Sequence, residues 1–290
     1  MTWILSAFAD EAGSSIDEQV AACTTAGLKY LDLRVVDGIN ISELPLDTAQ
    51  QVRGKLNNAG LRVNMLGSPI GKIDIAEKFQ GDLELLQHLA ELSEVFDCKQ
   101  VRVFSYYNRA GADEEKWAEG SIDRLRQLTE QASKLGLVLF IENELGLYGQ
   151  TLQRVARLAE TCRDGQTCRM IFDFDNYNQA GEDLWQVWVQ LRNCTDAFHL
   201  KDSTSPPEPM HVPIGQGNSR ARDILHDAQR SGWSGCLSVE PHLTHSAAVA
   251  SIGRAGQTNQ AMKDLGPAEC FQVATAAAGQ LLHEIGATFE

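Results

Sequence analysis

The chain has 290 residues, 43% of them hydrophobic, and a formal net charge of −14. It can bury one large core, and (β/α) barrels of this length are routinely single domains. The acidic balance argues against a large nucleic-acid partner or an anionic membrane, both of which need basic surface, but still allows a local basic pocket for a small anion.

The N-terminus, MTWILSAFADEAG, lacks a basic region and turns acidic after one short apolar stretch, so it reads as a first strand over 3–8 and not as a signal peptide. Further strand-like runs follow at 29–34, 61–66, 100–104, 137–142, 169–173, 196–200 and 236–240. Segments with helical period lie between them at 15–26, 47–58, 75–97, 113–135, 149–163, 182–193 and 220–231, and a last one spans 267–285. Ser15 and Glu18 have capping-box spacing, while Gly27, Gly60 and Gly136 each stop a helix before a strand. Eight βα units in series predict a closed parallel (β/α)8 TIM barrel, α/β in class, with 1–290 as a single domain. The rival open, doubly wound sheet normally carries a Gly-rich turn after its first strand, and FADEAG is no such turn. The Ala-, Gly-, Ser- and Gln-rich stretch from Thr244 to Gly266 reads as an insertion, either a cover for the barrel mouth or a plain surface excursion. Seven dispersed cysteines without a CxxC pair fit reduced thiols in the cytoplasm, and no apolar run reaches membrane-spanning length.

Four runs each deliver one metal-capable side chain. LVLFIE ends at Glu142, MIFD at Asp173 and CLSVE at Glu240, and AFHL carries His199. In a parallel barrel, the carboxyl ends of the strands converge on one mouth. Strand parity supports the convergence: with Leu237, Val239, Phe198, Leu200, Leu31 and Leu33 facing the helices, Glu240, His199, Lys201, Asp32 and Arg34 point inward. Parity says less for the fifth and sixth strands, where both faces are apolar. A lone strand-end carboxylate is more often a helix cap or a loop salt bridge, and a lone histidine a satisfied polar residue. Four on successive strands predict a site for one divalent cation. With oxygen ligands dominant, Mn²⁺ leads, and Mg²⁺, Co²⁺ or Zn²⁺ also fit.

The segments SPIGK, IENE, ENELGLYG, FDFDNYNQAG, FHLKD, VPIGQG and SVEPHL resemble, in order, those of the xylose isomerase-like TIM barrel superfamily, particularly its sugar phosphate isomerase/epimerase family. The resemblance runs from FADE to EPHL. It implies the quartet Glu142, Asp173, His199 and Glu240 as metal ligands, with Glu142 preferred over Glu144 and Asp173 over Asp175. It also implies that Glu142 and Glu240 move protons on opposite faces of a sugar substrate. Where the family's best-known ketose epimerases carry a substrate-contacting His, this chain has Asn176, so their substrate preference does not carry over.

The expected activity is therefore proton transfer through an enediolate in a metal-dependent sugar or sugar-phosphate isomerase or epimerase. Arg34, Lys72, Asn176 and Lys201 are expected to bind the substrate, although Arg34 could equally serve as an ion-pair partner for Asp32. His211 and His242 flank the same mouth. The GQG at 215–217 could approach a phosphate, but a plain turn suits it better. A lyase or dehydratase acting on a keto-inositol or 3-keto-glycoside is the alternative on the same site. A DNA-repair nuclease would need more histidine ligands and a basic groove, and a non-catalytic sugar-binding module would not need two opposed glutamates. The expected partner is a small carbohydrate, with no nucleic acid or membrane, and a homo-oligomer stays open.

Overall fold

Eight parallel strands alternate with helices in the computed structural model, which describes residues 2–206, 209–243 and 259–290. The strands are β1 Ile4–Ala7, β2 Tyr30–Leu33, β3 Arg62–Leu66, β4 Gln100–Val103, β5 Val138–Glu142, β6 Cys168–Asp173, β7 Ala197–Leu200 and β8 Cys236–Val239. They pair in the order β1–β8–β7–β6–β5–β4–β3–β2, and a parallel bridge between Phe8 and Asp32 joins the two ends into a nearly closed barrel. All eight strand readings match within a residue at each end.

The surrounding helices are α1 Ile16–Thr25, α2 Leu46–Asn58, α3 Gln80–Phe96, α4 Glu114–Leu135, α5 Leu152–Cys162, α6 Phe174–Gln179, α7 Leu184–Leu191, α8 Ala221–Arg230 and α9 Pro267–Glu284. Local chemistry sets their ends. The capping box of Ser15 and Glu18 opens α1, and Gly136 closes α4 at φ +69°. The apolar stripe of α4, including Trp117, Ile122, Leu125 and Leu128, is buried against the barrel. Among the described residues no helix is long and apolar enough to cross a membrane.

Two readings shift. The helix expected from 75 begins at Gln80, because the Asp74 carboxylate takes the amides of Ala76 and Arg109 and ties this segment to the loop after β4. Helix α6 was not anticipated: six residues are too short to show a period, and Asp173 opens it as its cap. Of the insertion expected at 244–266, residues 244–258 lie outside the described residues. The remainder starts at Asn259, whose amide donates to the His211 carbonyl at 3.0 Å.

The barrel interior has two levels. Met65, Phe140, Ile171, Ala197 and Cys236 form a small apolar cluster separate from the main core between strands and helices. The larger of these, Met65, Phe140 and Ile171, each contribute about 1.5–3 kcal/mol. One inward position further along β5, β6 and β7, the side chains become Glu142, Asp173 and His199. The apolar floor thus fixes strand parity where the sequence was ambiguous, and leaves the polar residues no direction but the mouth.

Candidate metal centre

Glu142 and Asp173 are the last residues of β5 and β6, His199 lies on β7, and Glu240 follows β8 directly. Asp173 and His199 are register partners, as are His199 and Ser238, so neighbouring strands deliver their side chains at one height. All four residues are buried, and one ligand atom from each lies within 4.8 Å of the others. His199 Nδ1 sits 2.8 Å from Glu142 Oε1, 3.8 Å from Glu240 Oε2 and 3.9 Å from Asp173 Oδ2. Asp173 uses its other oxygen as a cap, accepting the Asn176 amide at 2.7 Å.

The electrostatics are those of anions crowded out of water. Burial pushes Glu142 up, but His199 and Arg102 beside it win and hold the carboxyl down at about 2. Burial acts on Glu240 in the same way and is overcome by Lys201, His242 and Arg34. Asp173 is raised well above the usual range, by burial first and then by Glu142 and Glu240, despite Lys201. Burial alone would lower His199; Glu142, and then Glu240 and Asp173, raise it instead. The carboxylates of the quartet thus favour positive charge on its imidazole.

Four cations meet these carboxylates. Arg34 bonds Asp10 at 2.8 and 3.0 Å, Glu11 at 3.2 Å and Glu240 at 2.6 Å. Lys201 lies 3.1 Å from Asp173 and 3.2 Å from Glu240, Arg102 3.3 Å from Glu142, and Lys72 3.1 Å from Glu144. Together these four side chains contact six carboxylates: Asp10, Glu11, Glu142, Glu144, Asp173 and Glu240. Glu142 Oε2 and Asp173 Oδ2 are buried and make no hydrogen bond, their ion-pair contacts being to Arg102 at 3.3 Å and Lys201 at 3.1 Å. Three carboxylates and an imidazole nitrogen gathered this closely fit a hard or borderline divalent metal. All seven thiols are free, and none belongs to the quartet.

A cavity of about 190 Å³ opens over the quartet, lined in part by Arg34, Lys72, Lys201, Glu142 and Glu240 as expected from the sequence. A larger groove of about 780 Å³ lies at the opposite barrel end, beside Gly27, Lys29 and His283, away from the buried carboxylates. Chemistry, not volume, marks the smaller cavity as the site. Asn176 is not among its lining residues; its amide nitrogen donates to the Asn143 carbonyl at 2.9 Å, behind Asp173. The pairing of Arg34 with Asp32 does not form. Asp32 accepts from Asn64 at 2.7 Å, while Asp10 and Glu11, in the turn after β1, claim the guanidinium. His242 lines the cavity, whereas His211 bonds Asp175 at 3.1 Å. The GQG turn wraps the side chain of Asp202.

The sequence reading missed Arg102, Asp10 and Glu11. Arg102 alternates with Val101 and Val103, so the parity rule applied to the other strands would have turned it inward. No local signal separates Asp10 and Glu11 from ordinary loop acids; their partner is a neighbour only in the folded barrel.

Residues 20–265 match the family described as xylose isomerase-like TIM barrel. No curated protein sequence matches the chain. Among solved structures, the IolI protein with a bound zinc atom shares 15% identity at a TM-score of 0.76, covering 97% of this chain and 99% of its own. The 3-keto-D-glucoside 4-epimerase YcjR from E. coli, in its apo form, shares 14% at a TM-score of 0.69, with coverage of 97% and 100%. The probable 3-DHS dehydratase AsbF from Bacillus anthracis shares 16% at a TM-score of 0.71, with coverage of 96% and 99%. Likeness at these identities establishes the fold.

Proposed function

Because the chain belongs to the xylose isomerase-like TIM barrel family, we propose that it is a divalent-metal-dependent sugar isomerase or epimerase. The observation that carries the proposal is the quartet of Glu142, Asp173, His199 and Glu240, its ligand atoms within 4.8 Å of one another at the mouth of the barrel. Glu142, Asp173, Glu240 and His199 Nδ1 would hold the ion. A bound divalent cation polarises a carbonyl and makes the neighbouring C–H more acidic.

The chain's own residues would supply the rest. Glu142 and Glu240 arrive from β5 and β8, and both line the cavity. One takes the proton from the carbon beside the carbonyl, leaving an enediolate, and the other returns a proton from the opposite face. Such transfer is worth about 10²–10⁴-fold. Arg34 and Lys201 fix the two oxygens of Glu240, and His199 and Arg102 fix those of Glu142, so neither base can swing away. Arg34, Lys72 and Lys201 present N–H donors to substrate oxygens. Asn176 acts one step back by holding Asp173 through its backbone amide. A cavity of about 190 Å³ suits a small carbohydrate better than a drug-sized ligand, which takes ~300–1,000 Å³. Seven unpaired thiols support a reducing, cytoplasmic setting.

A metal-dependent dehydratase on the same site is the second reading, favoured by the likeness to AsbF. From the same enediolate, loss of a β-hydroxyl would compete with reprotonation. Incubating the metal-loaded protein with ketoses, keto-inositols and 3-keto-glycosides in D₂O separates the two. The proposal expects deuterium beside the carbonyl with no loss of water; an unsaturated product would favour the dehydratase, and no exchange with any of them would refute both.

A further inference from the structure

TIM barrels commonly hold a substrate phosphate with the loops after the seventh and eighth strands. In this chain the loop after β7 is already wrapped around an anion of its own. The carboxylate of Asp202, buried at 1% exposure, accepts backbone N–H bonds from Ser203 at 2.9 Å, Gly215 at 2.9 Å, Gly217 at 3.0 Å and Ser219 at 3.2 Å. Backbone amides converging on one anion in this way resemble the amide concavities that bind phosphate elsewhere. The fit is close: a Cβ on Gly217 would lie 2.3 Å from Asp202 Oδ1. None of these donors lines the cavity.

Each of the four Arg and Lys side chains that line the cavity is already paired with a carboxylate. A neutral substrate leaves these pairs intact among the described residues. A phosphate dianion or a carboxylate would add negative charge beside those carboxylates, inside a buried site where like charges repel strongly.

We propose that the substrate is an uncharged polyhydroxy carbonyl compound, without phosphate or carboxylate, and that the inward-facing amides of the loop after β7 are committed to Asp202. The inference rests on the reading of the quartet as a sugar-transforming site. Two measurements test it. The metal-loaded protein is given free ketoses and ketoglycosides alongside their phosphate esters and carboxylated counterparts, with solvent deuterium incorporation as the readout. Exchange is expected with a neutral member and at least ~100-fold more slowly with its charged counterparts, the scale of an unpaired like-charge contact. Exchange favouring an ester or carboxylate would overturn the proposal. Separately, the metal-free protein is titrated with inorganic phosphate and with sulfate by calorimetry. No binding tighter than ~1 mM is expected, and tight binding would overturn the proposal. The titration needs no turnover. If no sugar exchanges, the isomerase reading falls, while the calorimetry still decides whether the site accepts an anion.

Discussion

His199 directs Nδ1 at Glu142 Oε1, 2.8 Å away, while its Nε2 is buried without a hydrogen-bond partner. The imidazole therefore offers one nitrogen to the carboxylates, and in the metal-free protein that nitrogen competes for a proton. Burial lowers its affinity for the proton, and Glu142, Glu240 and Asp173 together raise it by more.

The first prediction follows from the sign of that shift. A raised histidine contributes stability that is fully present below the unfolded value of ~6.5 and is lost as pH rises through the folded value. A metal needs the same nitrogen deprotonated. Metal affinity should therefore increase as pH rises from ~6.5 through the raised folded value, with protons released on binding, while the metal-free protein loses the histidine's share of stability over the same interval. Calorimetry in buffers of different ionisation enthalpy measures the release. Affinity that is flat with pH would contradict the assignment of His199.

The second concerns the two bases. Glu142→Gln and Glu240→Gln should each reduce turnover by at least ~10²-fold with circular dichroism unchanged. On the proposed mechanism each variant would remove a proton carrier and a ligand charge while keeping the side chain's shape. If either retained near wild-type activity with metal bound, a two-base mechanism would be wrong.

Much of this site was legible in the sequence because β-strands alternate strictly. Leu237 and Val239 outward leave Ser238 and Glu240 inward, and the same logic turned His199 and Lys201 toward the axis. Four strand ends then point at one place once a closed parallel barrel is assumed. The ion-pair partners were not legible. Arg34 sits two residues from Asp32 in sequence, yet it bonds Asp10 and Glu11 across the β1–β2 seam and Glu240 from β8. Pairing between non-adjacent strands depends on barrel shear and loop path, which leave no local trace. Asn176 shows the converse limit: its spacing from Asp173 was meaningful, but as cap geometry at the start of α6.

The third prediction uses one of the residues that the sequence reading missed. Arg102 stacks on Phe8 and Phe104, each ring centroid 4.9 Å from the guanidinium, and lies 3.3 Å from Glu142 Oε2. Arg102→Met should lower kcat and cost ~3–5 kcal/mol, because Glu142 loses a buried partner. Arg102→Lys should recover part of both. Denaturant melts and steady-state kinetics on the pair separate this from simple loss of packing, which lysine would not repair.

The fourth prediction tests how Lys72 is placed. Gly71 has φ +83°, and a Cβ there would lie 2.1 Å from the Phe104 carbonyl oxygen. Neither the backbone conformation nor the contact tolerates a side chain. Gly71→Ala should cost at least ~1–3 kcal/mol of stability, read as a lower denaturation midpoint. Because Lys72 follows directly, KM should also rise. An Ala variant with unchanged stability would show that the loop relaxes freely.

The last prediction concerns the ion. Three carboxylates and one imidazole form an oxygen-dominated set, although seven thiols were available elsewhere in the chain. Such a set favours Mn²⁺ or Mg²⁺ and admits Co²⁺ and Zn²⁺. Four protein ligands leave room on a six-coordinate ion for further oxygens. A chelator should therefore abolish activity, and Mn²⁺ or Co²⁺ should restore it. Metal should also raise the melting temperature, by the linkage between binding and folding. The thermal shift is independent of turnover, and Asp173→Asn should diminish it because on the proposed assignment that residue would supply a ligand oxygen without carrying the substrate's proton. A thermal shift without activity would leave the metal site standing and count against the sugar chemistry. Full activity after rigorous removal of metal would count against the site itself.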